Sequence, residues 1–347
     1  MDIQQAINSA IEHRDLSDEA MVSVMRSVMT GEVTPAQIAG FLVAMRMKGE
    51  TVTEIAAAAK VMRELATPVQ VSADHLVDIV GTGGDGAKLF NVSTASSFVA
   101  AAAGCHVAKH GNRSVSSSSG SADLLESAGV RLDISAEQVA QCVEQVGVGF
   151  MFALNHHGAM KHAIGPRKEL GTRTLFNALG PITNPAGVKR QLLGVYSQAL
   201  LRPIADVLNS LGSEHVMVVH SREGLDEISL AGDTWVAELN NGSVSEFVIS
   251  PQQVGIDCAD ISPLMVANAA ESLELVKLAL AKSSAKKSSR AQLAADMVAL
   301  NAGAAIYVAG VTQDWQQGVT LAQDVIATGQ ALEKMLELAA FTAGYTV

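Results

Sequence analysis

The sequence predicts an α/β protein in which a small all-helical N-terminal domain, residues 1–70, precedes a larger α/β/α domain, residues 71–347, with a mainly parallel sheet. Helical hydrophobic patterns fill the chain to about residue 68, whereas from about residue 74 strand-like apolar runs alternate with helical runs. The 347 residues are 48% hydrophobic but only 4% aromatic, which suits a helix-rich chain with a sizeable core.

The N-terminal part has the periodicity and the caps of successive helices. Ile3, Ile7 and Ile11 recur every four residues and share one helical face. Candidate N-caps for three further helices are Ser17, Thr34 before Pro35, and Thr51 or Thr53. No reactive group stands out here, so the expected role is a helical cap, a hinge partner or a dimer surface.

The larger domain shows the alternation expected of a parallel sheet with helices on both faces. Its strand-like runs lie at 77–80, 106–108, 148–152, 192–196, 215–219 and 234–239. The last run and residues 244–249 predict a hairpin, because Asn241-Gly242 supplies the positive φ that its turn needs. The helical patterns that close the chain are centred on 268–282, 291–309 and 318–341.

Charge and composition limit the functional classes. The formal charge of −11 argues against nucleic acid as a partner, and the three cysteines show no metal-ligand spacing. The polar start does not resemble a signal peptide, and the apolar stretch that ends near Gly104 is too short to cross a bilayer. We therefore expect a soluble cytoplasmic protein that binds neither nucleic acid nor a membrane.

Two loops that follow predicted strands carry the residue types that bind phosphorylated ligands. Gly81-Thr82-Gly83-Gly84-Asp85 follows the first strand, and Lys109 to Arg113 follows the second. In a βαβ unit both loops meet at one edge of the sheet, where glycines expose backbone N–H groups and a lysine supplies positive charge. Each motif alone would also suit a plain turn with solvated charges. Together they predict a phosphate-sugar site that has neither the dinucleotide nor the P-loop spacing.

Two further segments complete this predicted site. Serines around Gly120 lead directly into a helix, whose N-terminus favours an anion. Residues 156–185 lack strand alternation and are rich in His, Lys and Arg, so we expect them to cross back to the helical domain and place Arg167 in the cleft between domains. His156, His157 and His162 lack the HExxH spacing of a zinc site, and no Cys or Ser has the setting of a nucleophile.

An acidic pair, Asp226-Glu227, follows a predicted strand on a glycine-bearing loop. Hard oxygen ligands suit Mg²⁺, which binds through one or two carboxylates together with substrate phosphates. Ser93 would add a hydroxyl to such a site. The alternative interpretation is a pair of solvated surface charges.

These motifs, in this order and over essentially the whole chain, resemble the anthranilate phosphoribosyltransferase family. The family pattern appears here as GTGGDG, FNVST, KHGNRSVSSSSGSADLLE, HHGAMKH, Arg167 with RTLFNALGPITNP, and HSREGLDE. The resemblance implies a step of tryptophan biosynthesis in which anthranilate attacks C1′ of phosphoribosyl pyrophosphate (PRPP) and pyrophosphate leaves. It also implies Mg²⁺ as cofactor and a homodimer.

The resemblance further implies the residues of the site. Anthranilate would contact Gly81, Asn112 and Arg167, and Ser93, Asp226 and Glu227 would hold Mg²⁺. Leu89 stands where the family commonly has Thr. The residues expected to bind PRPP are Gly81, Gly84, Asp85, Leu89, Asn91, Val92, Ser93, Thr94, Lys109, His110, Gly111, Asn112, Arg113, Ser114, Val115, Ser116, Ser117 and Ser121.

The implied chemistry depends on charge stabilisation and positioning. Lys109 and Mg²⁺ would stabilise the charge that develops on the leaving pyrophosphate, and no strong general base is predicted. Any proton lost by the amine could go to pyrophosphate, to water or to His110. Two other functions stay open at this point: a pyrimidine-nucleoside phosphorylase, which shares the related fold, and a non-enzymatic relative that binds nucleic acid.

Overall fold

The computed structural model describes residues 1–113, 119–282 and 288–345. Its N-terminal part is helical, and the side chains of Ser17, Thr34 and Thr51 each accept a hydrogen bond at the start of a helix, as predicted. Of the three isoleucines that recur along α1, only Ile3 is fully buried, and Ile11, at the end of the helix, is 63% exposed. The N-terminal helices are α1 (Ile3–Ile11), α2 (Asp18–Thr30), α3 (Pro35–Lys48) and α4 (Val52–Leu65).

A seven-stranded sheet forms the centre of the larger domain. Its order is β3-β2-β1-β4-β5-β6-β7; the pairs from β3 to β5 are parallel and the last two are antiparallel, which confirms the mainly parallel sheet. Asn241 and Gly242 have φ values of 48° and 84° in the predicted hairpin turn. The strands are β1 (Leu76–Gly81), β2 (His106–Gly111), β3 (Val148–Phe152), β4 (Arg190–Gly194), β5 (His215–Ser221), β6 (Thr234–Asn240) and β7 (Ser243–Ile249).

Helices cover the sheet and return once to the N-terminal helices. The fourth strand begins and ends two residues earlier than the predicted 192–196 run, because its ladder with β1 stops at Gly194. The helices of this part are α5 (Val92–Ala102), α6 (Ser121–Ser127), α7 (Ala136–Gln141, continued by a π-helical turn Cys142–Val146), α8 (Ala153–His156), α9 (Lys161–Leu170), α10 (Leu175–Leu179), α11 (Leu201–Ser210), α12 (Ala269–Leu280), α13 (Ser289–Val308), α14 (Trp315–Thr328) and α15 (Gln330–Ala343).

Five of these helices bear on the sequence predictions. Helices α9 and α10 pack against α3 in the N-terminal bundle, so the 156–185 segment crosses back as expected. The single helical pattern centred on 318–341 is wrong: Gly329, with φ of +84°, separates α14 from α15. Helix α13 is long and apolar enough to span a membrane, but 78% of its most apolar window is buried inside the fold, as in the core helix of a soluble protein.

Candidate active site

A glycine turn leaves the end of β1 and forms the centre of the site. Gly83, Gly84 and Gly86 all have positive φ, at +63°, +78° and +75°, so other residues would be strained there. The N–H of Gly83 donates to Asp226 Oδ2 at 2.7 Å. On the other side, the guanidinium of Arg173 donates to the carbonyl of Gly84. The turn is thus held by an anionic and a cationic side chain from distant parts of the chain.

Two glycines at the ends of neighbouring strands allow Asp226 to approach this closely. A Cβ at Gly81 would lie 2.3 Å from Asp226 Oδ2, and a Cβ at Gly194 would lie 1.6 Å from the Asp226 carbonyl oxygen. A larger residue at Gly194 would have to move the backbone of the loop that carries the acidic pair, and one at Gly81 would have to move the Asp226 side chain.

The acidic pair forms a cluster with a third carboxylate. Burial and the nearby Asp85 raise the pKa of Asp226 to about 7, and a protonated Asp226 donates a hydrogen bond to Asp85. Burial, and then the charge of Asp226, raise the pKa of Glu227 well above its usual range, although the backbone N–H of Ser93 donates to it. Burial and mutual repulsion both disfavour the charged carboxylates, so a cation bound beside them would stabilise this cluster.

This donor set fits Mg²⁺. Within residues 1–113, 119–282 and 288–345, no three His, Cys, Asp or Glu side chains form a ready-made metal cage. Mg²⁺ commonly binds through one or two carboxylates and completes its shell with water and substrate phosphates, and Asp226 and Glu227 supply two such carboxylates.

Lys109 lies at the end of β2 and is 3% exposed. Its ammonium group donates to the Ile79 carbonyl and, at 3.3 Å, to the hydroxyl of Ser93. Burial lowers the pKa of Lys109, while the charges of Asp78 and Glu227 act in the opposite direction. The structure therefore brings the predicted phosphate lysine beside Ser93 and near the acidic cluster.

A group of buried histidines adjoins Lys109. The rings of His110 and His157 are 5.0 Å apart, and among the described residues neither Nε2 atom has a hydrogen-bond partner. Burial, with the neighbouring His157 and His156, lowers the pKa of His110 to about 3. Burial and His156 lower the pKa of His157 to about 4. Both imidazoles are neutral at physiological pH.

The lowered pKa of His157 predicts that the stability of the protein depends on pH. Between about pH 6.5 and pH 4 the unfolded chain binds a proton at His157 that the folded chain excludes, so the free energy of unfolding falls as pH falls, by up to about 1.4 kcal/mol per pH unit. We expect His157→Gln to make this dependence shallower, as measured by urea unfolding across that range. The raised carboxyl pKa values of Asp78 and Asp226 act with the opposite sign but are common to both proteins. Equal slopes in the two proteins would contradict the prediction.

The two arginines of the crossing segment lie in different surroundings. Arg167, on α9, is half-buried with its guanidinium 5.2 Å from the centre of the Phe176 ring, and burial lowers its pKa. It makes no hydrogen bond to another predicted site residue within the described part of the chain. Arg173, which was not singled out for the site, lies 4.1 Å above the ring of Tyr196 and bonds the glycine turn. Its place in a segment rich in basic residues is the one signal that could have found it.

The first turn of α5 and the start of α6 meet beside the end of β2. Thr94 Oγ1 donates to Ser121 Oγ at 3.1 Å, and Asn91 Nδ2 donates to the Ser119 carbonyl at 3.1 Å. The carbonyl of Asn112 accepts from the N–H of Ala122 at 3.3 Å. These contacts bring Asn91, Thr94, Asn112 and Ser121 close to one another.

Other predicted residues have different contacts. Arg113 pairs with Glu126, at 2.7 Å between Nη2 and Oε1, and with the Phe152 ring. Leu89 forms an isolated bridge with Met265, and the side chain of Val92 is in the core. Gly111 abuts Phe150, which leaves no space for a larger residue. Ser114, Val115, Ser116 and Ser117 lie outside the described residues.

The sequence places the chain in a known family. Residues 73–332 match the model of the glycosyl transferase family, a/b domain, and residues 4–66 match that of the glycosyl transferase family, helical bundle domain. A Cellvibrio japonicus protein named anthranilate phosphoribosyltransferase is 62% identical over 342 residues, which cover 99% of each chain. The chain belongs to the anthranilate phosphoribosyltransferase family.

Solved structures of anthranilate phosphoribosyltransferases have the same fold. The enzyme of Thermus thermophilus matches with a TM-score of 0.91 at 43% identity, over 98% of this chain and 99% of that one. The Saccharomyces cerevisiae enzyme in complex with PRPP and Mg matches with a TM-score of 0.88 at 25% identity, over 99% and 98%. The family assignment and the fold class predicted from the sequence are therefore confirmed, and the nucleoside phosphorylase interpretation is disfavoured.

Proposed function

We propose that this protein transfers the phosphoribosyl group of PRPP to the amine of anthranilate, releasing pyrophosphate and N-(5-phosphoribosyl)anthranilate, in tryptophan biosynthesis. The observation that carries the proposal is the convergence of the glycine turn, buried Lys109 and the Asp226–Glu227 pair at one sheet edge. Family membership supports the choice of substrates, since a relative of the same fold binds PRPP and Mg.

The proposed roles follow from the chemistry of each group. The residues given above as expected to bind PRPP would surround its phosphates and ribose. Lys109 would stabilise the negative charge that grows on the leaving pyrophosphate, because a fixed ammonium in a buried site needs no reorganisation. Asp226, Glu227 and Ser93 would hold Mg²⁺, whose chemistry is neutralisation of pyrophosphate oxygens.

Anthranilate is proposed to bind through Arg167, with Gly81 and Asn112 as further contacts. A planar guanidinium pairs well with a carboxylate, and the half-buried setting of Arg167 against Phe176 would strengthen that pairing. Orientation of the amine towards C1′ can supply up to about 7–11 kcal/mol of barrier reduction. A pKa of about 3 makes His110 a weak base, which supports a mechanism without a strong general base.

The activity is tested by incubating the protein with PRPP, Mg²⁺ and anthranilate and following the loss of anthranilate fluorescence. We expect turnover that depends on both PRPP and Mg²⁺. Phosphorolysis of thymidine or uridine without anthranilate turnover would support the phosphorylase alternative. A mobility shift of single-stranded DNA without turnover would support the nucleic-acid-binding alternative.

We further propose a homodimer that forms through an uncharged stripe on α3. Ala36, Gly40, Val43 and Met47 follow one another at helical spacing and are all exposed, Met47 to 76%. Exposed Ile11 lies on α1, which packs against α3. A contiguous apolar face of this kind favours contact with a second copy, in which the same residues meet across a two-fold axis.

The dimer prediction is tested by the mass in solution. Met47→Glu would place two carboxylates in the apolar interface, so we expect light scattering after size-exclusion chromatography to show one chain where the wild type shows two. Leu336→Glu is the matched control, because Leu336 is also apolar and 53% exposed but lies on α15. A wild type with the mass of a single chain would contradict the proposal.

The remaining proposals concern organisation and location. We propose a division at about residue 70, with the helices of about 166–188 joining residues 1–70 and the PRPP site in residues 71–347. The packing of α9 and α10 on the N-terminal helices supports this division. We also propose a cytoplasmic location, which the three scattered cysteines without metal-ligand spacing support, and the charge of −11 supports the proposal that nucleic acid is not a partner.

A further inference from the structure

The backbone hydrogen bonds between β1 and β2 stop before these strands reach the site, and the boundary between the two strands is called the seam here. The backbone ladder of the two strands pairs Leu76 with His106 and Val77 with Val107. Beyond these pairs, β1 continues along β4 and β2 continues along β3. The two strands that carry the glycine turn and Lys109 therefore reach the site without the backbone ladder that joins them at their first residues.

Side chains take over the backbone hydrogen bonds in this seam. Asp78 Oδ1 accepts from the backbone N–H of His110 at 3.1 Å. Asn184 Nδ2 donates to Asp78 Oδ2 at 2.8 Å and to the Ala108 carbonyl at 2.9 Å. The Ile79 carbonyl accepts from the ammonium group of Lys109. Buried backbone groups need such partners, so these contacts allow the strands to separate without leaving them unsatisfied.

We propose that Asp78 and Asn184 are positioning residues that aim Lys109 and His110 into the site. Asp78 is 0% exposed and Asn184 is 4% exposed, so neither is placed to meet solvent. A buried carboxylate is costly unless it is bonded and paired with charge, and here Asn184, the His110 amide and Lys109 supply both. Because burying the Asp78 carboxylate is costly, its place at the base of the site indicates that it holds Lys109 and His110 in a geometry that a continuous backbone ladder would not give.

Asn184 extends this arrangement to the other domain. It lies just after α10, at the end of the segment that returns from the N-terminal helices. Its amide therefore joins the returning chain to β2 at the residue before Lys109. The position of the Lys109 side chain therefore depends on the crossing segment as well as on the sheet.

A pair of reciprocal substitutions tests the proposal, which rests on the role proposed for Lys109. Asp78→Asn sets two amides against each other and removes a charge near Lys109; Asn184→Asp sets two carboxylates against each other. A displacement of about 1 Å can lower turnover about 10²-fold, so we expect each single variant to lower kcat about 10- to 100-fold. The double variant restores the bond between positions 78 and 184 but not the bond from position 184 to the Ala108 carbonyl, so it should regain only part of the loss, up to about tenfold over the worse single variant.

Two further measurements separate positioning from general stability. Glu54→Gln is the control, because Glu54 is also fully buried in an ion pair, 2.9 Å from Lys48, but lies in α4. It should lower the melting temperature and leave kcat within about twofold of the wild type. Hydrogen exchange at the His110 amide should be faster in Asp78→Ala, whether or not the protein turns over anthranilate.

The outcomes distinguish this inference from the proposed function. An Asp78→Asn variant with wild-type kcat, or a double variant no better than the worse single variant, would overturn the positioning role. If the wild type itself shows no turnover, the proposed function fails, and unchanged exchange at His110 would then overturn the inference separately. If Asp78→Ala does not fold, the kinetics of the conservative Asp78→Asn variant decide whether Asp78 has a positioning role.

Discussion

Lys109→Gln is expected to lower kcat for anthranilate phosphoribosylation by about 10²–10³-fold, the range seen when one preorganised charge-stabilising group is removed. The amide fits the volume of the buried side chain but carries no charge towards the leaving pyrophosphate. It also leaves Asp78 and Glu227 without the cation whose charge lowers their pKa values. Steady-state kinetics at saturating Mg²⁺, with PRPP and anthranilate varied in turn, would measure the effect.

The matched control is Lys189→Gln, which removes the same charge from an exposed lysine paired with Glu214. A surface ion pair is worth about 0–1 kcal/mol, so neither the melting temperature nor kcat should change appreciably. A kcat for Lys109→Gln within about threefold of the wild type would show that the lysine does not stabilise the transition state. The charge for the leaving group would then have to come from other residues.

The parts of the fold that depend on local sequence could be predicted. The caps at Ser17, Thr34 and Thr51, the hairpin turn at Asn241-Gly242 and the βαβ unit depend on residues adjacent in the chain. The βαβ rule then places the glycine turn and the Lys109 loop at one sheet edge without knowledge of the rest of the fold. That is why much of the candidate site follows from motifs.

The contacts that position the site join residues far apart in the chain, and no local pattern reveals them. Arg173 bonds Gly84 across 89 residues, and Asn184 bonds Asp78 across 106. Both side chains come from the crossing segment, whose path was predicted but whose contacts depend on how the two domains pack. The break at Gly329 was missed because this residue alone separates α14 from α15, and a lone glycine is also tolerated within a helix.

Gly194 gives the second large expected effect, at a residue that no motif identifies. Its absent Cβ would lie 1.6 Å from the carbonyl oxygen and 2.4 Å from the carbonyl carbon of Asp226, so Gly194→Ala must move that backbone. We expect kcat to fall about 10²-fold, because the acidic pair shifts relative to the glycine turn. Overpacking at this point should also lower the free energy of unfolding by about 1–3 kcal/mol.

Gly232→Ala provides the comparison, because its added Cβ would meet only the side chain of Glu223, at an ordinary 3.5 Å. That variant should keep both kcat and the melting temperature of the wild type. If Gly194→Ala acts through the acidic pair, its apparent affinity for Mg²⁺ in the PRPP reaction should fall, and higher Mg²⁺ should recover part of the activity. Gly194→Ala with unchanged kcat would show that Asp226 tolerates displacement. That result would be incompatible with a metal-holding role for Asp226, whose backbone packs against Gly194 and whose side chain accepts from the Gly83 N–H.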